Sequence, residues 1–292
     1  VPVLGHERGL SASVVGSILG SFAVASAAIR VVLPWIARRL QEYRLLSGAM
    51  VCASLIFAAY PFFDSAMAMA ICSICLGVVL GVVQIFIAAK NTYVSQNSAA
   101  AMQEDARFVL SKMIQEIRMV GMFGCLGTVL DSSSAGDFNA AQVMPISWDN
   151  ANLKLTLVTA DIGSGGGTPT WTVLSDCRNS ATAYTGLRSP ASGQIAFPIR
   201  RLIYSFSNNQ ILMGTGSGTP TQQVLVNNVS AFNVTFGLAS SATDVAASTY
   251  SANPSDPARI RSVRLSLTLT DPNNRVANQT FNVVAALRNR LP

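Results

Sequence analysis

The chain changes character along its length, and the change lies in how its apolar positions are spaced. From Ser11 to Leu33 nearly every residue is apolar or small, long enough to cross a hydrocarbon core of about 30 Å. A second apolar run extends from Leu45 to Tyr60, and reaches Phe63 if prolonged. After a brief turn at Pro61 and Asp64 a third begins at Ala66. That third run continues past Lys90 into a different pattern. Met102, Ala106, Val109, Met113, Ile117 and Val120 recur at three- and four-residue steps, as on a helix with one buried face. Glu104, Arg107, Lys112 and Glu116 fall largely on the other side, and Gly121 and Gly124 close the pattern. The spacing predicts one continuous helix from Ala66 to Phe123, apolar in its first half and two-faced in its second.

Beyond it, short runs alternate with a period of two: LKLTLVTA, TWTVLSDC, RLIYSF, ILMG, AFNVTFG, RSVRLSLTLT and QTFNVVAAL. Clusters of Gly, Pro, Asn and Asp separate them, as expected for antiparallel strands. In RSVRLSLTLT, Val263, Leu265, Leu267 and Leu269 share one face, and Arg264, Ser266, Thr268 and Thr270 share the other. One face is expected to be buried against the preceding helix and the other wet. The expected class is α+β: N-terminal transmembrane helices, then a long helix packed on an antiparallel sheet.

Composition sharpens this division. Only 12% of the 292 residues are charged, against roughly 25% in ordinary soluble domains, and only eight charges precede Lys90. Arg30, Arg38, Arg39 and Arg44 surround the connection after the first run, which marks a cytoplasmic side. Three spans before Lys90 would bring that residue out on the same cytoplasmic side. Arg30 is expected to snorkel or to anchor the loop. Gly16 and Gly20 form a GxxxG pair in the first run, a spacing that lets helices approach closely.

The net charge of +6 is spread without a basic run, and no reader motif accompanies it, which argues against nucleic-acid binding. His6, the single histidine, sits in a polar lead-in far from the strand-rich part, so Ser-His or Cys-His catalysis is not expected there. Ser164 to Gly167 is not a phosphate loop, because no Lys-Ser/Thr pair and no helix pattern follow it. Asn228, Asn233 and Asn278 each open a formal glycosylation sequon, as chance provides in so Asn/Thr-rich a region. Cys72 and Cys75 have CxxC spacing but lie mid-run without a second pair, and with Cys52 they read as small apolar residues. Cys125 and Cys177 are the only cysteines of the polar part. They suggest one disulfide in an oxidising compartment, two buried thiols being the alternative. No catalytic residue, cofactor site, metal site or small-molecule substrate is expected.

Two resemblances follow from particular strings. The lead-in LGHERGLSAS, the helix VVGSILGSFAVASAAIR, the turn RVVLPWIARR, the turn YPFFD and LGVVLGVVQ resemble part of a major facilitator superfamily transporter, about three helices of it. From about Gly81 onward the chain resembles a type IV pilus minor pilin of the PilW family. That match is carried by VVQIFIAAKNTYVSQNSAAAMQEDARFVLSKMIQEIRMVGMFGC, VLSDC, IRRLIYSFSNNQIL, VNNVSAFNVTFG, RSVRLSLTLT and FNVVAALRNR. The resemblances imply transporter-like helices over 1–80, a stalk helix over 81–124 and a β-rich head over 125–292. The join falls between about Cys75 and Gln84, as in a fusion of two unrelated genes. A pilin of this kind begins with a basic leader and carries a glutamate five residues into the mature helix; ICSICLGVV stands in their place.

The pilin resemblance also implies a periplasmic disulfide between Cys125 and Cys177 and a bacterial inner-membrane location with a periplasmic head. Its implied partners are other minor pilins, the pilus assembly machinery and inner-membrane lipid. The implied role is priming of filament assembly, and with it twitching motility, by subunit packing. The alternatives are a transporter fragment joined to a soluble tail, or a pseudopilin of a type II secretion system.

Overall fold

The computed structural model describes residues 11–37, 42–59, 62, 65–161, 167–216 and 220–290. His6, Arg38 and Arg39, the turn at Pro61 and Asp64, and Ser164 to Gly166 lie outside the described residues. The chain divides into two compact units, Val1–Gln96 and Asn97–Pro292, and the division falls inside a single helix.

The first unit is helical. Helices α1 (Ala12–Ala37) and α2 (Glu42–Ala59) precede α3 (Ala66–Arg118), whose first part completes the unit. The apolar runs became helices because they combine Ala, Leu, Met and Val with no internal turn signal. Among the described residues α1 and α3 are long and apolar enough to cross a membrane, and α2 contributes a shorter apolar segment, Ser47–Ala59. The three expected spans therefore meet two helices that qualify by length and composition.

The second unit is α+β. The later part of α3 leads into two sheets formed by twelve strands, with a short helix α4 (Phe138–Val143) between the first two. The first sheet contains β1 (Leu130–Asp131), β2 (Ile146–Asp149), β3 (Lys154–Ala160), β4 (Trp171–Ser175), β5 (Ala181–Thr185), β6 (Ile195–Ser207), β7 (Gln210–Thr215) and β8 (Gln222–Val226). Its order is β1-β5-β4-β6-β3-β2, with β7 also on β6 and β8 on β7; all pairs but β1–β5 are antiparallel. The second is antiparallel, with β9 (Val229–Leu238), β10 (Thr249–Ser251), β11 (Ile260–Leu269) and β12 (Gln279–Ala286) in the order β10-β9-β11-β12.

The alternation in β11 is realised. Val263, Leu265, Leu267 and Leu269 are buried, Arg264 is exposed, and the buried row joins Met102, Ala106, Val109, Met113 and Ile117 of α3 in one core. A second, smaller core forms under α4, where Phe123, Phe138 and Trp171 stack edge to face with centroids 5.4 and 5.7 Å apart.

The helix ends at Arg118, short of the expected Phe123. Val120 leaves helical geometry to bridge Thr159 on β3, and Gly121 and Gly124 adopt positive φ of 79° and 127°. Val120 stays fully buried in the same core, so the apolar spacing outlasts the helix that produced it.

Candidate membrane and assembly sites

In the first unit, α1 meets α3 along Ile18, Phe22, Ala25 and Ile29 on one side and Ser73, Gly77, Gly81 and Gln84 on the other. A Cβ built at Gly77 would lie 2.6 Å from the Phe22 carbonyl oxygen, and one at Gly81 2.3 Å from Ile29 Cγ2. Two glycines four residues apart are what brings the backbones together. Ser73 Oγ donates to the Ile18 carbonyl at 3.1 Å. The exposed Arg30 donates from Nη2 to Gln84 Oε1 at 2.8 Å, so it clasps the two helices as well as carrying a charge to the surface. The GxxxG pair singled out from sequence, Gly16 and Gly20, has nothing within 4 Å of a built Cβ and takes no part in this contact. The string LGVVLGVVQ held the working pair. Away from the contact, Val24, Val31, Met50, Leu55, Phe57, Met67, Ile71 and Ile87 are exposed, as lipid-facing side chains are.

This contact makes a direct prediction. Gly81→Val must push Ile29 and the Ser26 backbone aside and is expected to destabilise the helix pair by about 2 kcal/mol. Gly16→Val, into open space, is expected to stay within about 0.5 kcal/mol of the parent. Unfolding of the full chain by SDS in mixed micelles measures both.

In the second unit the notable polar group is Glu116, which the sequence pattern assigned to the wet side of its helix. It is 1% exposed. Lys112 Nζ, one turn earlier, pairs with its Oε1 at 2.9 Å, and Tyr204 on β6 donates its hydroxyl to Oε2. The Glu116 carbonyl oxygen accepts from Thr159 Oγ1 on β3 at 3.1 Å. Burial, then the neighbouring carboxylate, holds the Tyr204 hydroxyl far above the usual phenol range, so it remains a donor. The cluster pins one turn of α3 to two strands. Helical spacing does separate Glu116 from the exposed Glu104: three residues after Met113 and four before Val120 it falls on the apolar stripe, while Glu104 lies opposite, and only its charge hid it.

Cys125 and Cys177 form a disulfide with Cα atoms 5.4 Å apart, closing a sequence separation of 52 residues. Cys177 has positive φ, and the loop around it is organised without the sulfur. Asp176 Oδ1 accepts from the backbone N–H groups of Arg178, Asn179 and Ser180 at 2.8–2.9 Å, which hold its carboxyl well below the usual carboxylate range. The bridge therefore ties the segment leaving α3 to a preformed hairpin between β4 and β5. Cys52, Cys72 and Cys75 are free thiols.

Three further arginines act as staples. Arg200 pairs with Asp161 at 2.7 Å and donates to the Gly167 carbonyl at 2.8 Å. Arg261 is 3% exposed and donates to the carbonyls of Asp244, Ala258 and Ala242 at 2.6–2.7 Å, while Arg259 reaches those of Ala239 and Ser240 at 2.8 Å. Together they fold the long segment 239–259 back onto the start of β11. Arg261→Met keeps the stem and removes the donors. It is expected to cost about 2 kcal/mol and to open the segment to protease, read by the first cleavage site in limited proteolysis.

Among the described residues, no three His, Cys, Asp or Glu side chains gather where they could hold a metal ion. An open groove of about 720 Å³ between α3 and the β7–β8 hairpin is lined by Phe108, Lys112, Met213 and Leu225.

The architecture defines a class: an α+β protein with, among the described residues, two helices apolar and long enough to cross a membrane and one disulfide in its strand-rich unit. No protein-family model matches the chain, and no curated protein sequence matches it either.

Proposed function

We propose that this chain is a membrane-anchored, minor-pilin-like structural subunit that takes part in priming type IV pilus assembly by packing rather than by catalysis. The observation that carries the reading is α3 itself. One helix is apolar enough to sit in lipid over its first half, and its second half supplies the core row beneath an antiparallel sheet. That is the arrangement a subunit needs if its stalk bundles with other apolar helices while its head meets neighbouring heads.

In this reading two of the apolar helices cross the membrane and the head is periplasmic. With the Arg-rich connection cytoplasmic and α2 remaining on that side, α1 enters and α3 leaves, so the chain beyond Lys90 emerges on the opposite face. An oxidising compartment on that face suits a disulfide between Cys125 and Cys177. In this reading the partners are other minor pilins, the assembly machinery and inner-membrane lipid.

The test is reciprocal pull-down from detergent-solubilised inner membrane of cells that express a complete minor-pilin set. Recovery of other minor pilins, together with a change in surface pilus number when the chain is deleted, is the expected result. Recovery of type II secretion components instead, or no change in pili, would overturn the proposal.

A further inference from the structure

The edges of the two sheets are not alike. β1 has two residues and β10 three; β2 has four and follows Pro145; β8 has five, and its pairing with β7 is bulged at Ile211/Leu212. Shortness, proline and bulges are the devices by which sheets keep an edge from recruiting another strand. β12 has none of them. It runs for eight residues in unbroken register with β11, from Gln279↔Leu269 to Ala286↔Ser262, and carries neither charge nor proline.

The register tells which backbone groups are free. Leu287 N–H donates to the Arg261 carbonyl, and in an antiparallel ladder the bonded pairs alternate. The N–H and C=O groups of Phe281, Val283 and Ala285 therefore face β11, while those of Thr280, Asn282, Val284 and Ala286 face outward. Among the described residues, no hydrogen bond to these outward groups is seen. Val284 is 52% exposed, Phe281 and Val283 are half-buried, and the strand thus has a more apolar and a more polar side.

We infer that β12 is an interaction edge whose occupant is β12 of a second copy of this chain, paired antiparallel about a two-fold axis. An isologous contact requires that the same surface complement itself. This edge does so because it holds no charge to repel its own image. With the axis beside Val283, Thr280 lies opposite Ala286 of the second copy and Asn282 opposite Val284. All four outward-facing residues then form bonded pairs, and Phe281 meets Ala285 on the more apolar side. Shifting the pairing by two residues leaves one of these residues unmatched. The two four-stranded sheets become one continuous sheet. A single strand edge covers less than the roughly 1,200 Å² of a stable interface, so the dimer is concentration-dependent and exchanges readily. This inference does not rest on the pilin reading.

The test uses the full chain in detergent with Cys52, Cys72 and Cys75 replaced by Ser. Sedimentation is expected to show reversible dimerisation, and Val284→Lys, an exposed change that sets two ammonium groups near the axis, should weaken it about tenfold. Val283→Cys should cross-link to itself under mild oxidation, because non-bonded antiparallel pairs bring Cα atoms to about 4.5 Å. Thr280→Cys should not, its image lying six positions along the strand. A chain that stays monomeric at every concentration overturns the inference. So does a dimer that ignores Val284→Lys and gives no Val283→Cys cross-link, since it forms elsewhere. A monomer that instead captures a foreign strand peptide overturns the second copy as occupant.

Discussion

Replacing Cys125 and Cys177 together with Ser is expected to lower the stability of the strand-rich unit by about 4 kcal/mol, the chain-entropy value for a closed loop of 52 residues. The loss should be local in its first consequences. The bridge attaches the segment leaving α3 to the β4–β5 hairpin, and the small core of Phe123, Phe138 and Trp171 lies beside it. Asp176 and its three N–H donors keep the hairpin turn itself in shape. Trp171 fluorescence should therefore change at lower urea than the backbone signal of the sheets, where the parent unfolds in one step. Coincident transitions in the double variant, at the parent's midpoint, would show that the bridge constrains nothing.

Glu116→Ala is the second large effect, about 3 kcal/mol. It leaves the fully buried Tyr204 hydroxyl without its acceptor, separates Lys112 from its partner and opens a void in the main core. Tyr204→Phe removes only the donor and should cost about 1 kcal/mol, since Lys112 still neutralises the carboxylate. A double-mutant cycle between the two positions isolates their coupling. The same cluster predicts an alkaline limit. The folded-state pKa of Tyr204 lies above its unfolded value of about 10, so its contribution is whole below that pH and fades as pH rises through it. The parent should lose stability above about pH 10 more steeply than Tyr204→Phe, by urea titration at several pH values.

Much of the fold was legible because the chemistry that dictates it is local. The spacing in α3 and the alternation in β3, β4, β9, β11 and β12 can each be read without knowing what lies opposite. β5 and β8 were not legible: ATAYT and QQVLV are short and sit among turn residues, and they become strands because β4 and β7 offer them a ladder. The choice of glycines was hidden in the same way. Gly16 and Gly20 match the helix-packing pattern as well as Gly77 and Gly81 do, and only the path of α1 against α3 decides between them. Glu116 is the clearest case. Its charge suggested the wet side although its spacing from Met113 and Val120 puts it on the apolar stripe, and Tyr204, 88 residues away, brings the donor that makes its burial tolerable. For the assembly surfaces, the absence of charge in QTFNVVAA was visible from the outset. That its outer edge is free required the register with β11.

In the proposed function the strand-rich unit of a membrane-anchored subunit works on the oxidising side. The most direct test is thiol labelling in spheroplasts of the full chain with Cys52, Cys72 and Cys75 replaced by Ser, so that Cys125 and Cys177 alone report. A membrane-impermeant maleimide should find no reactive thiol until an impermeant reductant is added, and should then label both. Thiols that react without reduction, and only after the membrane is permeabilised, would put the unit in the cytoplasm and contradict the account.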